Sequence, residues 1–414
     1  MKISGPDLRL RLLPILAAQA VGLLCGIAGV RLTSRFVDPA DYGAYGIFMS
    51  LAPLGPYVVF AGVVRFLARH WQDSPARPAL LRAVLVAALR KTPWLAGAAA
   101  VAGVILSPDE PVRYAALLFG GAFLAGLTQL AQAALQAARD HWRDFAVAGA
   151  ASIARSFGPP LLYAATGAGL LALQAGYVVH ALVGAGLGAV VLWRWAGSAA
   201  PAPASVALPP TYEGTQFMLL AVAAWVAQAV NRWAVAWAHG AEPAGYFTLA
   251  GNVGLILPTI LAAVLGQFRQ PHWYATDTGD PAALARLRRD VDRVAAGFTA
   301  GALVLSALLH LAMPRLIGPL VDARYLPAVD YVFATGAATT ALLVAGYFHT
   351  LLIAARREDA CLVPDLTGGV VFFAGSLAAA GTGLAVFKTW LALSPLVPWV
   401  VNRTLAHRAL ARPR

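Results

Sequence analysis

Arg155 stands inside the apolar run "FAVAGAASIARSFGPPLLYAA". An arginine at the centre of a membrane-spanning helix costs at least ~2.5–3.5 kcal/mol, so it is expected to face a cavity or a partner and not lipid. Its planar guanidinium fork matches phosphate or carboxylate oxygens, and the chemistry that follows is capture of an anion. Gly158, Pro159 and Pro160 come next. They are expected to interrupt helical hydrogen bonding, and broken backbone at membrane depth is tolerated where it lines a cavity. Four more arginines fall in pairs: Arg31 with Arg232 and Arg65 with Arg269 end apolar runs in corresponding parts of the two halves. Singly, each reads as an end residue snorkelling to the interface. As pairs they would converge on a central cleft. Gln19, Gln228, Asn231 and Asn252 are candidates for neutral contacts there, with interhelical hydrogen bonding as the equal alternative.

The chemistry that is missing narrows the reading as much. No carboxylate sits well inside an apolar run, which argues against an Asp/Glu proton relay and against the acid pair an intramembrane hydrolase needs. His180, His310 and His349 are each isolated among apolar residues and read as neutral, hydrogen-bonded core groups. Asp365 follows Pro364 and reads as a helix cap. Cys25 and Cys361 read as small core residues, with neither a disulfide nor a metal site expected. The sequence carries no Walker A, HExxH or GxSxG pattern, so neither a cofactor, a metal nor enzymatic catalysis is expected.

The elements that must position these residues are long and apolar. Of 414 residues, 59% are hydrophobic and 12% charged, with a mean hydropathy of +0.68. A soluble exterior cannot be built from that composition. Twelve apolar runs are read as spans: 12–30, 43–64, 93–107, 114–137, 145–165, 168–192, 215–237, 244–266, 295–313, 331–354, 362–381 and 383–402. The expected fold is an all-α integral membrane protein. The N-terminal "MKISGPDLRLRLLPILAAQAVGLLCG" has signal-peptide features but is read as an uncleaved first span. Of 31 Lys and Arg, 23 fall at the N-terminus, the even-numbered connections and the C-terminal tail, against seven on the opposite side. That asymmetry predicts both termini on the cytoplasmic side. It also accounts for the net charge of +12 without nucleic acid. Trp71, Trp142 and Trp273 each follow a His at an expected span end and read as interfacial anchors.

An internal repeat organises the spans. Arg31 aligns with Arg232, Asp41 with Glu242 and Tyr45 with Tyr246 at an offset of 201, and the His-Trp pairs at 70 and 272 align at 202. Six spans per half return the chain in the same orientation, so two parallel six-helix lobes around a central cavity are expected. They cover residues 1–195 and 215–414, joined by an Ala/Pro-rich linker at 196–214. "DPADYG" supplies the outer turn between the first two spans. The small residues of "GAYG" then allow close helix approach.

The stretch "RLTSRFVDPADYGAYGIFMS" (31–50), at the first junction of a twelve-span chain, resembles the polysaccharide transporter family. These are the Wzx-like oligosaccharide-lipid flippases of the multidrug/oligosaccharidyl-lipid/polysaccharide exporter superfamily. The resemblance implies export of an undecaprenyl-diphosphate-linked oligosaccharide across the bacterial inner membrane, for surface polysaccharide biosynthesis. It further implies a cationic cavity between lobes that alternate in access. Membrane lipids, a polysaccharide polymerase and assembly proteins are the implied partners. The rival readings are a multidrug/toxin extruder, whose cationic substrates want acidic cavity residues, a peptidoglycan-precursor flippase, and a membrane-embedded glycosyltransferase, polymerase or ligase of sugar lipids.

Overall fold

The computed structural model describes residues 5–71, 77–138, 140–197, 215–274, 276, 280–357 and 360–411. Most of the expected linker at 196–214 lies outside them. The described chain is helical, without strands. The helices are α1 (Gly5–Phe36), α2 (Pro39–Leu51), α3 (Ala61–His70), α4 (Arg77–Leu89), α5 (Thr92–Leu106), α6 (Pro111–Ala137), α7 (His141–Thr166) and α8 (Leu170–Gly197). They continue as α9 (Thr215–His239), α10 (Ala241–Gly254), α11 (Ile256–Tyr274), α12 (Pro281–Leu320), α13 (Val332–Ala354), α14 (Leu362–Thr382), α15 (Leu384–Leu393) and α16 (Arg403–Ala411). In hydrocarbon every backbone polar group must be satisfied within the segment, which is why such apolar runs become helices. Ten helical segments among the described residues are long and apolar enough to cross a membrane. The expected first and fifth spans coincide with α1 and α7, which are not among those ten. In α7, Arg155 and two prolines dilute the apolar character.

Local signals set the helix ends. Asp140 caps α7 by accepting from the Arg143 N–H at 3.2 Å. Gly167 ends it in the left-handed region at φ 63°, a conformation that costs glycine nothing. Gly383, at φ 139°, separates α14 from α15.

The chain divides into two compact units, Met1–Val37 with Phe48–Val222 and Asp38–Ile47 with Ala223–Arg414. The division thus cuts through α2, whose first residues group with the second unit.

In the first unit, α7 packs against α1 and α8. A Cβ on Gly29 would stand 3.0 Å from Ser156, and one on Gly149 would stand 3.9 Å from Val21, so α1 and α7 run parallel. On the other side, a Cβ on Gly176 would meet Pro159 at 2.5 Å, and one on Gly184 would meet Ala151 at 3.4 Å. Facing residues of the antiparallel α7–α8 hairpin therefore have numbers that sum to 335. The helix does not end at Gly158–Pro160: α7 continues to Thr166 with Pro159 and Pro160 buried, although each proline removes one backbone donor, as expected. The missing Cβ of Gly176 makes room for the proline, and neighbouring helices supply the support that a lone helix lacks.

In the second unit, α2 and α10 cross through a reciprocal glycine contact. A Cβ on Gly43 would be driven into the carbonyl oxygen of Ala241, and one on Gly245 into that of Pro39. Both contacts relate by an offset of 202, as Gly46 does to its neighbour Thr248. The offset of 201 that aligns Tyr45 with Tyr246 is thus one residue away from the pairing at the crossing. Glycine is required where the backbones touch, whereas tyrosine is tolerated on either side. Around the crossing, Asn252 Nδ2 donates to the Tyr42 hydroxyl at 2.7 Å, and Arg324 pairs with Asp38 at 2.8 Å.

The tryptophans divide. Trp142 is 52% exposed and fits an interfacial anchor, but Trp71 and Trp273 are each 2% exposed and belong to the cores of their units. Trp273 Nε1 donates to Asp290 at 2.7 Å, and Arg77 lies over the Trp71 ring at 5.5 Å. Asp290→Ala strands a buried indole N–H, a loss of ~1–3 kcal/mol. Thermal unfolding in detergent should show that loss. Its size should shrink in a Trp273→Phe background, because the indole donor is then already gone.

Candidate functional site

The hairpin register puts His180 across from Arg155, since their numbers sum to 335. Arg155 is exposed on α7. Its charge is felt at both His180 and Tyr177, which lie one helical turn apart on α8. The Tyr177 and His180 rings lie 5.3 Å apart between centroids. Tyr177 is held firmly: Phe48 meets it edge-on at 5.9 Å and meets Tyr114 at 5.5 Å. Gly121 leaves room for its ring, which a Cβ there would approach to 2.8 Å. The Nδ1 atom of His180 is shut off from solvent.

Two consequences of sequence sharpen the site. Proline has no N–H, so Pro159 and Pro160 leave the Arg155 and Ser156 carbonyls without their usual helical donors. Among the described residues, moreover, no carboxylate pairs with the Arg155 guanidinium and no hydrogen bond engages it. An accessible, uncompensated guanidinium beside a histidine and a fixed tyrosine is suited to binding an anionic group.

Arg31 is also exposed and lies in the same unit. The Gly29–Ser156 contact places it ~4.5 Å farther along the parallel helix axes than Arg155, at 1.5 Å rise per residue. Gln19 and Arg65 belong to α1 and α3, and their side chains lie outside the described positions.

The second unit holds the other candidates. Asn231 is 5% exposed on α9, and its Oδ1 has no hydrogen-bond partner among the described residues. Arg232 follows it, half-buried. Asn252 is engaged by Tyr42, the interhelical alternative. Arg269 pairs with Asp290 at 3.8 Å, the carboxylate that also holds Trp273. The structure therefore groups Arg155 with Arg31 in one unit and Asn231 with Arg232 in the other. It gives Asn252 and Arg269 structural partners.

By sequence alone, His180 reads as an isolated core residue. The turn at Gly167–Gly169 between two long apolar runs was the signal for a hairpin, and hairpin register names His180 as the partner of Arg155. His349 is hydrogen-bonded as expected, but its partner is Asp365, which differs from the expected cap. Their side chains meet at 2.6 Å, so the aspartate serves a neighbouring helix and is not a cap. His310 follows the expected pattern, with Nδ1 3.1 Å from the Val329 carbonyl.

Comparison with known proteins places this geometry in context. A family model described as "Polysaccharide biosynthesis protein" matches residues 32–326. The solved structure of the lipid II flippase MurJ in an inward closed conformation is similar at a TM-score of 0.68 and 10% identity, over 97% of this chain and 87% of that one. An outward-facing multidrug resistance MATE transporter of the MOP superfamily is similar at 0.56 and 17% identity, over 97% and 95%. A MOP transporter from Pyrococcus furiosus, described by the reverse polarity of its binding pocket, is similar at 0.50 and 16%, over 97% and 95%. No curated protein matches by sequence. At these identities the structural likeness concerns the fold, which is that of MOP-superfamily transporters.

Proposed function

The chain belongs to the polysaccharide biosynthesis protein family, and from that premise we propose that it is a flippase for an undecaprenyl-diphosphate-linked oligosaccharide. It moves its cargo across the bacterial inner membrane by alternating access, with both termini in the cytoplasm. Handing that cargo to a polysaccharide polymerase and its assembly proteins would complete the pathway. The observation that carries this reading is the Arg155 guanidinium within an apolar run, paired with no carboxylate among the described residues and set beside His180 and Tyr177. A diphosphate supplies the charge that such a fork lacks. Arg31 and Arg232 extend the same chemistry. Arg65 and Arg269 are the remaining basic candidates, while Gln19, Asn231 and Asn252 offer neutral contacts to sugar hydroxyls.

Energetics favours this direction of transport. With the cytoplasm negative, outward movement of an anion is downhill by ~2.3 kcal/mol per charge per 100 mV. No intramembrane carboxylate relay is needed to drive it. The test is transport of a fluorescent diphosphate-linked oligosaccharide lipid in proteoliposomes. Making the receiving side positive should accelerate transfer, and Arg155→Ala should abolish that transfer. Transfer indifferent to both the potential and Arg155, or an efflux of cationic drugs in its place, would overturn the reading.

A further inference from the structure

One face of α12 changes character along its length. Arg286, Arg289 and Arg293 are exposed, and Val304, Leu308 and Leu311 continue the same helical face at 57%, 56% and 66% exposure. The opposite face, through Leu287, Val291, Ala295, Phe298 and Ala302, is buried against the rest of the unit. Exposed Arg315 ends the apolar stretch on the outer face.

Spacing gives this face a depth. Arg293 and Arg315 are separated by 22 residues, or ~33 Å at 1.5 Å per residue, close to the ~30 Å hydrocarbon core. The leucines and valine between them therefore face acyl chains. Arg286, Arg289 and Arg293 lie on that same lipid-facing side, at the level of the head groups. Among the described residues, Arg286 alone of the three forms an ion pair, with Asp280 at 3.6 Å, and its side chain remains 70% exposed. Arg289 donates from Nε to the Ala285 carbonyl at 3.3 Å and pairs with no carboxylate among the described residues. Charge, depth and orientation agree on one occupant.

We propose that Arg286, Arg289 and Arg293 form a binding surface for anionic phospholipid head groups on the outer face of α12. The phosphates seat against the guanidinium groups while the acyl chains run down the exposed face toward Val304, ~16 Å from Arg293 and near the bilayer midplane. The site is separate from the Arg155 group and stands whether or not the transport reading holds.

The test uses the full chain in neutral detergent, with lipid binding followed by native mass spectrometry or tryptophan quenching. Phosphatidylglycerol should bind at least tenfold more tightly than phosphatidylcholine, and free glycerol phosphate should not compete. Each basic residue near an anionic surface contributes roughly fivefold. The R286Q/R289Q/R293Q variant should therefore lose on the order of a hundredfold in phosphatidylglycerol affinity. Its phosphatidylcholine binding should be unchanged, and R286K/R289K/R293K should stay within a few fold of wild type. Should the glutamine triple fail to fold, the three single variants carry the test at about fivefold each. Equal binding of the two lipids, or phosphatidylglycerol affinity unchanged by the glutamine substitutions, overturns the proposal.

Discussion

On the proposed flippase reading, Arg155→Ala is expected to abolish transport of the lipid-linked diphosphate and yet to raise the thermal stability of the protein. The two effects have opposite signs because they come from different halves of the same expense. An intramembrane arginine costs at least ~2.5–3.5 kcal/mol relative to an apolar residue. Among the described residues, no carboxylate repays that cost in Arg155. Removing the charge therefore relieves the folded state. For the cargo the consequence is reversed, since truncating one member of a close phosphate–guanidinium pair typically costs ~2–5 kcal/mol, or roughly 30- to 5000-fold. Arg155→Lys keeps the charge but loses the planar fork, so it should retain partial transport at about a tenth of wild type or less. Thermal unfolding and proteoliposome transport, measured on the same preparations, check both arms. A variant that lost stability and transport together would show that Arg155 is a structural residue.

How much of this was legible in the sequence depends on how far apart the relevant residues lie. The helical class follows from apolar run length alone, because lipid leaves the backbone little choice. The unusual depth of Arg155 could be read from its own run. Its relation to His180 was within reach of the α7–α8 hairpin but required the register, which close contacts at Gly176 and Gly184 set. Asn252 was different. Its partner, Tyr42, is 210 residues away, and no local pattern reports that pairing. Trp71 and Trp142 show the same local phrase, an aromatic after His at a span end, yet one is buried and the other exposed. What separates them is the packing of neighbouring helices, a tertiary property. Pro159 and Pro160 misled for a related reason: propensity predicts a break, while a glycine on the next helix supplies the room that lets α7 continue. The candidate arginines were recognisable as a class because charge in an apolar run is conspicuous. That Arg269 already has a carboxylate partner, and Arg155 has none among the described residues, needed coordinates.

The crossing of α2 and α10 carries the sharpest structural prediction. At Gly43 and Gly245 an added methyl meets backbone oxygen, of Ala241 and Pro39 respectively, and a backbone atom cannot swing aside as a side chain can. Gly43→Ala must therefore push the helices apart. Separation strains the Asn252–Tyr42 hydrogen bond and the packing of Gly46 on Thr248. Overpacking of this kind costs ~1–3 kcal/mol, which outweighs the up to ~1 kcal/mol gained by replacing a helical glycine with alanine. Gly245→Ala should lose a similar amount. The double variant should lose distinctly less than the sum, because one displacement of the helices makes room for both methyl groups. Gly251, on the same helix, has nothing within 4 Å of an added Cβ. Gly251→Ala should accordingly be neutral or stabilising by up to ~1 kcal/mol. Thermal unfolding in detergent decides the matter, since the Gly43 and Gly251 variants shift the transition in opposite directions if the backbones touch. Equal shifts for those two, or strict additivity of Gly43→Ala and Gly245→Ala, would mean that the crossing is not the close contact described.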